Sequence, residues 1–311
     1  MVTGALMAGC SVVAGVGRVG VVGIGAMGAP MARHLQRCGH APRVRDIDPG
    51  VAAMAAADGL VVCESAAALA RDCDTVIVVV VDAQQIDAVL FGVAGVVCAA
   101  RAGDAPRQTV VLCSTIAPED AERFHRRLNG HAIDCIDAPI SGGPARAADG
   151  TLSMMVAAAP AVFGRCEPLL RTLAASLHRV GERPGDAARV KLVNNLLAGI
   201  HLVAAAQAMA LGTQLGLDAR MLFDVVNASS GASWMFADRG ARALDGDGVP
   251  RARIAILAKD LRLAIEMAQA AGVAVPLGEQ ALAVFQQAVA AGRGDADDAA
   301  IIASLGGIGC Y

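Results

Sequence analysis

A glycine-rich break follows the first apolar segment of the chain. Val19 to Ile24 reads as a short strand buried on both faces, and it runs into Gly23-Ile24-Gly25-Ala26-Met27-Gly28. Gly28 opens Ala29-Pro30-Met31-Ala32-Arg33-His34-Leu35, a helical pattern with proline in its first turn. Three glycines spaced this way between strand and helix make a turn that aims backbone N–H groups and a positive helix end at one point. A pyrophosphate can sit there. Gly15, Gly17 and Gly20 give the same spacing, but Gly20 leads into a strand, so that match fails. A tight turn without a ligand is the other reading of Gly23 to Gly28.

An acidic residue is expected about 20 positions further on, at the end of the second strand. Asp46 stands there. Its carboxylate can accept both ribose hydroxyls of NAD and would repel the 2′-phosphate of NADP. The reading is therefore NAD, with NADP less favoured, although Arg43 and Arg45 flank the position. Asp48 reads as the cap of a helix that Pro49 opens.

Strand patterns recur at Val44–Asp46, Leu60–Val62, Thr75–Val81, Thr109–Cys113, Ile133–Asp137 and Thr151–Ala157, with helices between them. The Val/Ile run at Thr75–Val81 is that of a strand covered on both faces. Such alternation implies right-handed crossovers and an α/β fold, a Rossmann-type doubly wound, mostly parallel sheet. The pattern changes after Gly181-Glu182-Arg183-Pro184-Gly185. Arg189–Leu215 reads as one long Ala/Leu-rich helix, Asp218 caps another, and Arg253–Ala271 and Leu277–Ala291 are further helices. The expected domains are a flexible tail over 1–18, a dinucleotide-binding Rossmann domain over 19–184, and an all-helical substrate and oligomerisation domain over 185–311.

The net charge of -3 argues against a nucleic-acid partner, which would need a basic face. No uninterrupted apolar run reaches the roughly 18–20 residues of a membrane span, so no membrane partner is expected. The first 18 residues lack the positive start of a secretory signal. Nine cysteines form no C-x-x-C pair and no His/Cys cluster, so no metal site is expected. They read as small hydrophobes in a reducing compartment, which points to the cytoplasm.

Of the 26 basic residues only two, Lys191 and Lys259, are lysine. A chain that uses arginine wherever a cation suffices has kept lysine at two places. Arginine cannot be deprotonated in a protein, whereas a buried lysine can trade a proton. Chance is the alternative for so small a number. Asn195 lies four residues after Lys191 and shares its helix face. The pair can hold a hydroxyl or carbonyl oxygen between them. His201 lies farther round the helix and reads as packed or exposed.

Taken in order, five motifs resemble the β-hydroxyacid dehydrogenase family over nearly the whole chain. They are Gly23 to Ala32, Ser114-Thr115-Ile116-Ala117-Pro118, Asp137-Ala138-Pro139-Ile140-Ser141-Gly142-Gly143, Lys191 to Asn195, and Lys259-Asp260-Leu261. The resemblance implies that Gly23, Ile24, Gly25, Ala26, Met27, Gly28 and Asp46 bind NAD. It places Thr115 near the nicotinamide, Lys259 on the cofactor, and Asp260 as the holder of nearby groups. It implies that Ser141, Gly142 and Gly143 bind a substrate carboxylate and that Asn195 orients the substrate. Lys191 would be the acid/base of a hydride transfer from a small hydroxy acid or sugar acid.

Within that family, Val81-Asp82-Ala83-Gln84-Gln85, Ser229 to Phe236 and Asp297-Asp298-Ala299-Ala300 resemble enzymes that oxidise a four-carbon sugar acid at its C2 hydroxyl. Trp234 then walls the substrate pocket, or else fills a core. Oxidation of 3-hydroxyisobutyrate or reduction of tartronate semialdehyde on the same residues is one alternative. A non-catalytic nucleotide-binding module is another. One departure is Gly185-Asp186-Ala187, where the family has two glycines as G-x-G. A homodimer or homotetramer is expected, since closed symmetric assemblies are common and the helices are rich in small apolar residues.

Overall fold

The computed structural model describes residues 17–99, 107–246 and 249–306. The tail expected over 1–18 falls almost entirely outside these residues. The chain divides into two compact units, Met1–Val190 and Lys191–Tyr311.

The first unit alternates strands and helices. Strand β1 (Val19–Val22) leads through the glycine turn to helix α1 (Gly28–Arg37). Then come β2 (Arg43–Arg45), α2 (Pro49–Ala57), β3 (Val61–Val62), α3 (Ala66–Asp72), β4 (Thr75–Val78) and α4 (Ala83–Phe91). The second half continues with β5 (Thr109–Leu112), α5 (Pro118–Gly130), β6 (Asp134–Asp137), β7 (Ile140–Ser141), α6 (Gly143–Asp149), β8 (Leu152–Ala157), α7 (Pro160–Leu173) and β9 (Ala174–Gly181). The sheet order is β3-β2-β1-β4-β5-β6-β8-β7, with β9 paired to β8. The pairs from β3 to β6 are all parallel, while β8 runs antiparallel to β6 and β7. The order of the first six strands reverses direction at β1, the place where open α/β sheets bind ligands beyond their carboxyl ends.

Alternate residues along each central strand feed two cores. Val21, Ile77, Val111 and Ile136 face Met31 and Leu35 of α1 and Leu169, Leu170 and Leu173 of α7. Val22, Val76, Val78, Val110 and Leu112 face Leu69 of α3, Ile86 and Leu90 of α4, and Phe124 and Leu128 of α5. A sheet covered on both sides explains why its strands are nearly continuous runs of Val and Ile.

Local chemistry sets the helix starts. The Asp48 carboxylate accepts the N–H groups of Gly50 and Val51 to cap α2, and Ser65 accepts from Ala68 to cap α3. Asp82 accepts from Gln85, whose side-chain oxygen accepts the Val81 N–H in return. The Val81-Asp82-Ala83-Gln84-Gln85 stretch is therefore a reciprocal helix cap.

The second unit is helical. Its elements are α8 (Asp186–Gln214, which begins in the first unit), α9 (Ala219–Asn227), α10 (Trp234–Asp245), α11 (Ile254–Ala270), α12 (Pro276–Ala288) and α13 (Ala300–Gly306). A core of Leu202, Ala206, Met209, Phe236, Leu261, Phe285 and Ile301 joins them. Among the described residues the only pairing of strand type here is a bridge between Arg253 and Asp297. Helix α8 is long and apolar enough to cross a bilayer by composition, yet its Leu202, Ala206 and Met209 lie in this core.

Two strands lie beyond the sequence reading. β7 spans two residues, too few to show a period. β9 reads Ala-Ala-Ser-Leu-His-Arg-Val-Gly, which carries no apolar alternation because most of it is exposed or half-exposed. Of the cysteines, Cys63, Cys73, Cys113, Cys135 and Cys166 are free and buried, as small hydrophobes should be, and Cys98 is free and exposed. Cys38 is buried as well.

Asp137, at the end of β6, anchors the start of α8. Its Oδ2 accepts the N–H groups of Gly185 at 3.1 Å and Ala188 at 3.0 Å. Burial pushes its carboxyl up to about 6, against the pull of those N–H groups. A raised folded-state value means that the folded chain holds the extra proton between the ordinary carboxylate range and about pH 6. The corresponding stability is present below that window and is lost as pH rises through it. Asp137→Asn should flatten this dependence in urea melts between pH 4 and 7. Asp137→Ala, which strands two buried N–H donors, should cost about 2–3 kcal/mol.

Candidate active site

The turn after β1 has the three glycine functions a dinucleotide requires. Gly23 has φ +85°, and a Cβ there would lie 2.6 Å from the Val79 carbonyl oxygen. A Cβ at Gly28 would lie 1.9 Å from the Gly23 oxygen, so only glycine lets α1 start this close to β1. Gly25 faces open space, with nothing near the position of a Cβ. Helix α1 has no acidic residue in its first turn, which leaves its positive end suited to an anion. These residues fit a bound pyrophosphate.

Asp46 follows β2 and is half-buried. Its Oδ2 accepts the Ile24 N–H at 2.8 Å and its Oδ1 accepts the Asp48 N–H at 3.0 Å. The carboxylate is thus fixed against the glycine turn, with lone pairs left for a ribose. The two neighbouring arginines are occupied. Arg43 pairs with Asp72 at 3.1 Å, and Arg45 donates to the Asp46 carbonyl.

Farther along the same unit, the Ser114 hydroxyl accepts the Val80 N–H at 3.1 Å, which ties the segment carrying Thr115 to the end of β4. Thr115 is not the cap of α5, whose N-cap residue is Ala117. Ser141 ends β7, half-buried, and Gly142 (φ +133°) and Gly143 (φ +75°) turn the chain into α6. A Cβ at Gly142 would meet the Arg146 side chain at 2.7 Å. At the variant Gly185-Asp186-Ala187, Ala187 is fully buried against Met155 and Ala157.

The second unit gathers the other candidates. Lys191 and Asn195 lie one turn apart on α8, and both are buried, Lys191 to 6% exposure. Asn195 Nδ2 donates to Asp260 Oδ2 at 2.6 Å, and its Oδ1 accepts from Asn194 at 3.0 Å. Lys259 Nζ pairs with Asp260 Oδ1 at 2.8 Å. Asp260 on α11 therefore bridges the other lysine and the asparagine of α8. Among the described residues no hydrogen bond or ion pair holds Lys191 Nζ. Burial lowers the Lys191 amine to about 8. Asp260 opposes that shift, while the positive charges of Lys259 and Arg239 add to it. Lys259 also lines, with Arg262, a cleft of about 320 Å³ between α11 and α12.

Ser233 caps α10 through the Phe236 N–H, which puts Trp234 in the first turn with 47% exposure. Trp234 is therefore not a core residue. Phe236 is one, stacked on Phe223 at 5.4 Å and buried. Arg239 does not stand out in the sequence, where it is one arginine among 24. The adjacent acids Asp297-Asp298 before an apolar helix were the available signal.

These features define a dinucleotide-binding sheet followed by a helical unit with a buried lysine. Residues 18–181 match the family described as the NAD binding domain of 6-phosphogluconate dehydrogenase. Residues 185–305 match that described as NAD-binding of NADP-dependent 3-hydroxyisobutyrate dehydrogenase. The chain is 40% identical to an L-threonate dehydrogenase of Cupriavidus necator, over 93% of this chain and 96% of that one. It is similar in structure to a 3-hydroxyisobutyrate dehydrogenase from Salmonella typhimurium, with TM-score 0.84, 37% identity, and 92% and 98% of the two chains covered. It is also similar to Psf3 in complex with NADP+ and 2-OPP, with TM-score 0.84 at 28% identity over 92% of this chain and 99% of that one. The chain belongs to the β-hydroxyacid dehydrogenase family and is an NAD(P)-binding oxidoreductase.

The contact between Gly28 and Gly23 yields a direct test. Gly28→Val should force the turn open and weaken NADH binding at least about tenfold in a fluorescence titration, because a branched side chain cannot share that space.

Proposed function

We propose that this enzyme oxidises L-threonate at its C2 hydroxyl to the 2-oxo acid, with NAD as hydride acceptor and Lys191 as acid/base. The observation that carries the reading is the buried Lys191 amine, lowered to about 8, which is neutral in a useful fraction near neutral pH. In this reading neutral Lys191 takes the proton of the substrate hydroxyl as the C2 hydrogen departs with its electron pair. Charged Lys191 returns that proton in the reverse direction. Asn195, held by Asp260, orients the substrate oxygen. Ser141 and the N–H groups of Gly142 and Gly143 receive the carboxylate, where positive-φ backbone makes a small anion nest. Thr115 and Lys259 contact the cofactor, and Trp234 walls the substrate.

The substrate choice rests on the 40% identity to the Cupriavidus enzyme. A second reading, oxidation of 3-hydroxyisobutyrate on the same residues, is favoured by the structural likeness to the Salmonella protein. The preference for NAD is supported by the fixed Asp46 carboxylate and by the contacts of Arg43 with Asp72 and of Arg45 with the Asp46 carbonyl. A cytoplasmic setting is supported by the buried free thiols. A homodimer or homotetramer is supported by the exposed Val193, Leu197 and Leu211 of α8.

Turnover of a hydroxy-acid panel tests the substrate; activity on 3-hydroxyisobutyrate without activity on L-threonate would select the second reading. For the mechanism, kcat/KM for oxidation should rise with pH through about 8 and then level, because the base must be neutral. Lys191→Met and Lys191→Arg should each lose at least about a thousandfold in kcat, since neither side chain can accept the proton. Asp46→Asn keeps an acceptor for the Ile24 N–H but removes the charge. It should lower the NAD-to-NADP selectivity about tenfold, measured as the ratio of kcat/KM values.

A further inference from the structure

A buried ionic cluster sits beside the candidate residues of the second unit, and the hydride-transfer scheme gives it no task. Arg239, on α10, is only 12% exposed in its side chain. Its Nε donates to both oxygens of Asp298 at 3.1 Å, its Nη2 donates to Asp298 Oδ2 at 2.9 Å, and its Nη1 donates to Asp238 at 2.7 Å. Asp298, at the foot of α13, also accepts from Arg242 at 3.0 Å, and Arg242 donates to Asp297 at 2.7 Å. Asp297 in turn accepts the N–H groups of Arg251, Ala252 and Ala299. Replacing such a cluster by apolar side chains of similar volume is often neutral or stabilising, so stability alone does not account for it. What the cluster does is fix one flat cation in place. The Arg239 guanidinium carbon lies 5.3 Å from the centroid of the Trp234 ring.

We propose that Arg239 is a positioning residue: clamped by Asp298 and Asp238, it holds the half-exposed Trp234 indole as the wall against which the hydroxy acid binds. The proposal rests on the pocket role given to Trp234 above. The guanidinium lies over the indole face, where cation–π attraction favours one orientation of the ring. The flat ring then meets the C–H face of a short sugar acid while its hydroxyls remain for polar partners. The same fixed charge acts on the Lys191 amine, which Arg239 and Lys259 drive toward the neutral form and Asp260 draws back. Arg242, Asp297 and Asp298 complete the charged groups packed around Arg239.

The test uses the full-length protein carrying Arg239→Lys or Arg239→Gln. Trp234 is the only tryptophan, so emission and acrylamide quenching report on this ring alone. Both variants lose the flat guanidinium. Each should show a quenching constant at least doubled and a KM for L-threonate raised about tenfold, with KM for NAD within about twofold. Arg239→Lys keeps the charge and should keep the pH limb of kcat/KM. Arg239→Gln removes it and should move that limb upward by about half a pH unit. Unchanged quenching in a folded variant overturns the proposal, as does increased quenching with an unchanged substrate KM. If Arg239→Gln does not fold, Arg239→Lys decides on the same two readouts. Lys191→Met is assayed alongside: if it stays active, the acid/base reading fails, while quenching and KM still judge Arg239.

Discussion

Keeping an amine out of water is the constraint to which the helical unit answers. An ammonium ion resists burial strongly, and the chain meets that cost by letting the group release its proton. Lys191 lies on α8, where apolar packing excludes solvent, and burial is the first cause of its lowered proton affinity. Asp260 prevents the shift from running further, because a carboxylate nearby favours the charged form. That same carboxylate is shared with Lys259 and Asn195, so one buried acid serves three polar neighbours. Arginine at 191 would be bulkier and more basic, and it would not release its proton.

The sheet unit solves a different electrostatic problem, that of receiving an anion without burying a fixed cation. Backbone dipoles do this work at the α1 N-terminus, and the glycines clear the space. Gly23 and Gly28 touch, Gly25 leaves an opening, and Asp46 is bonded to the Ile24 N–H. The carboxylate proposed to read the ribose is thereby held by the turn proposed to read the phosphates. Asp137 performs a similar service at the end of β6, where it collects the N–H groups at the start of α8.

Much of this was legible in the sequence because it depends on local spacing. The glycine turn, the apolar runs over Thr75–Val81 and Thr109–Cys113 that hold β4 and β5, the Asp48 and Asp218 caps and the i, i+4 relation of Lys191 and Asn195 are all short-range facts. The rarity of lysine alone singles out Lys191 and Lys259. What the sequence hid was long-range or compensated. The strand β9 carries polar residues on exposed faces, and α10 begins at a tryptophan that pattern alone left undecided between pocket and core. The Arg239–Asp298 clamp joins residues 59 apart, and nothing in local spacing announces it.

Lysine scarcity also offers the most direct test of the account. A protein grown with 13C-lysine has two side-chain signals to follow, and Lys259→Arg assigns them. The account predicts that the Cε resonance of Lys191 titrates with a midpoint near 8 in the folded protein. A midpoint at or above the ordinary lysine value of about 10.4 would contradict it, because the amine would then be charged at every pH where the enzyme is asked to act as a base.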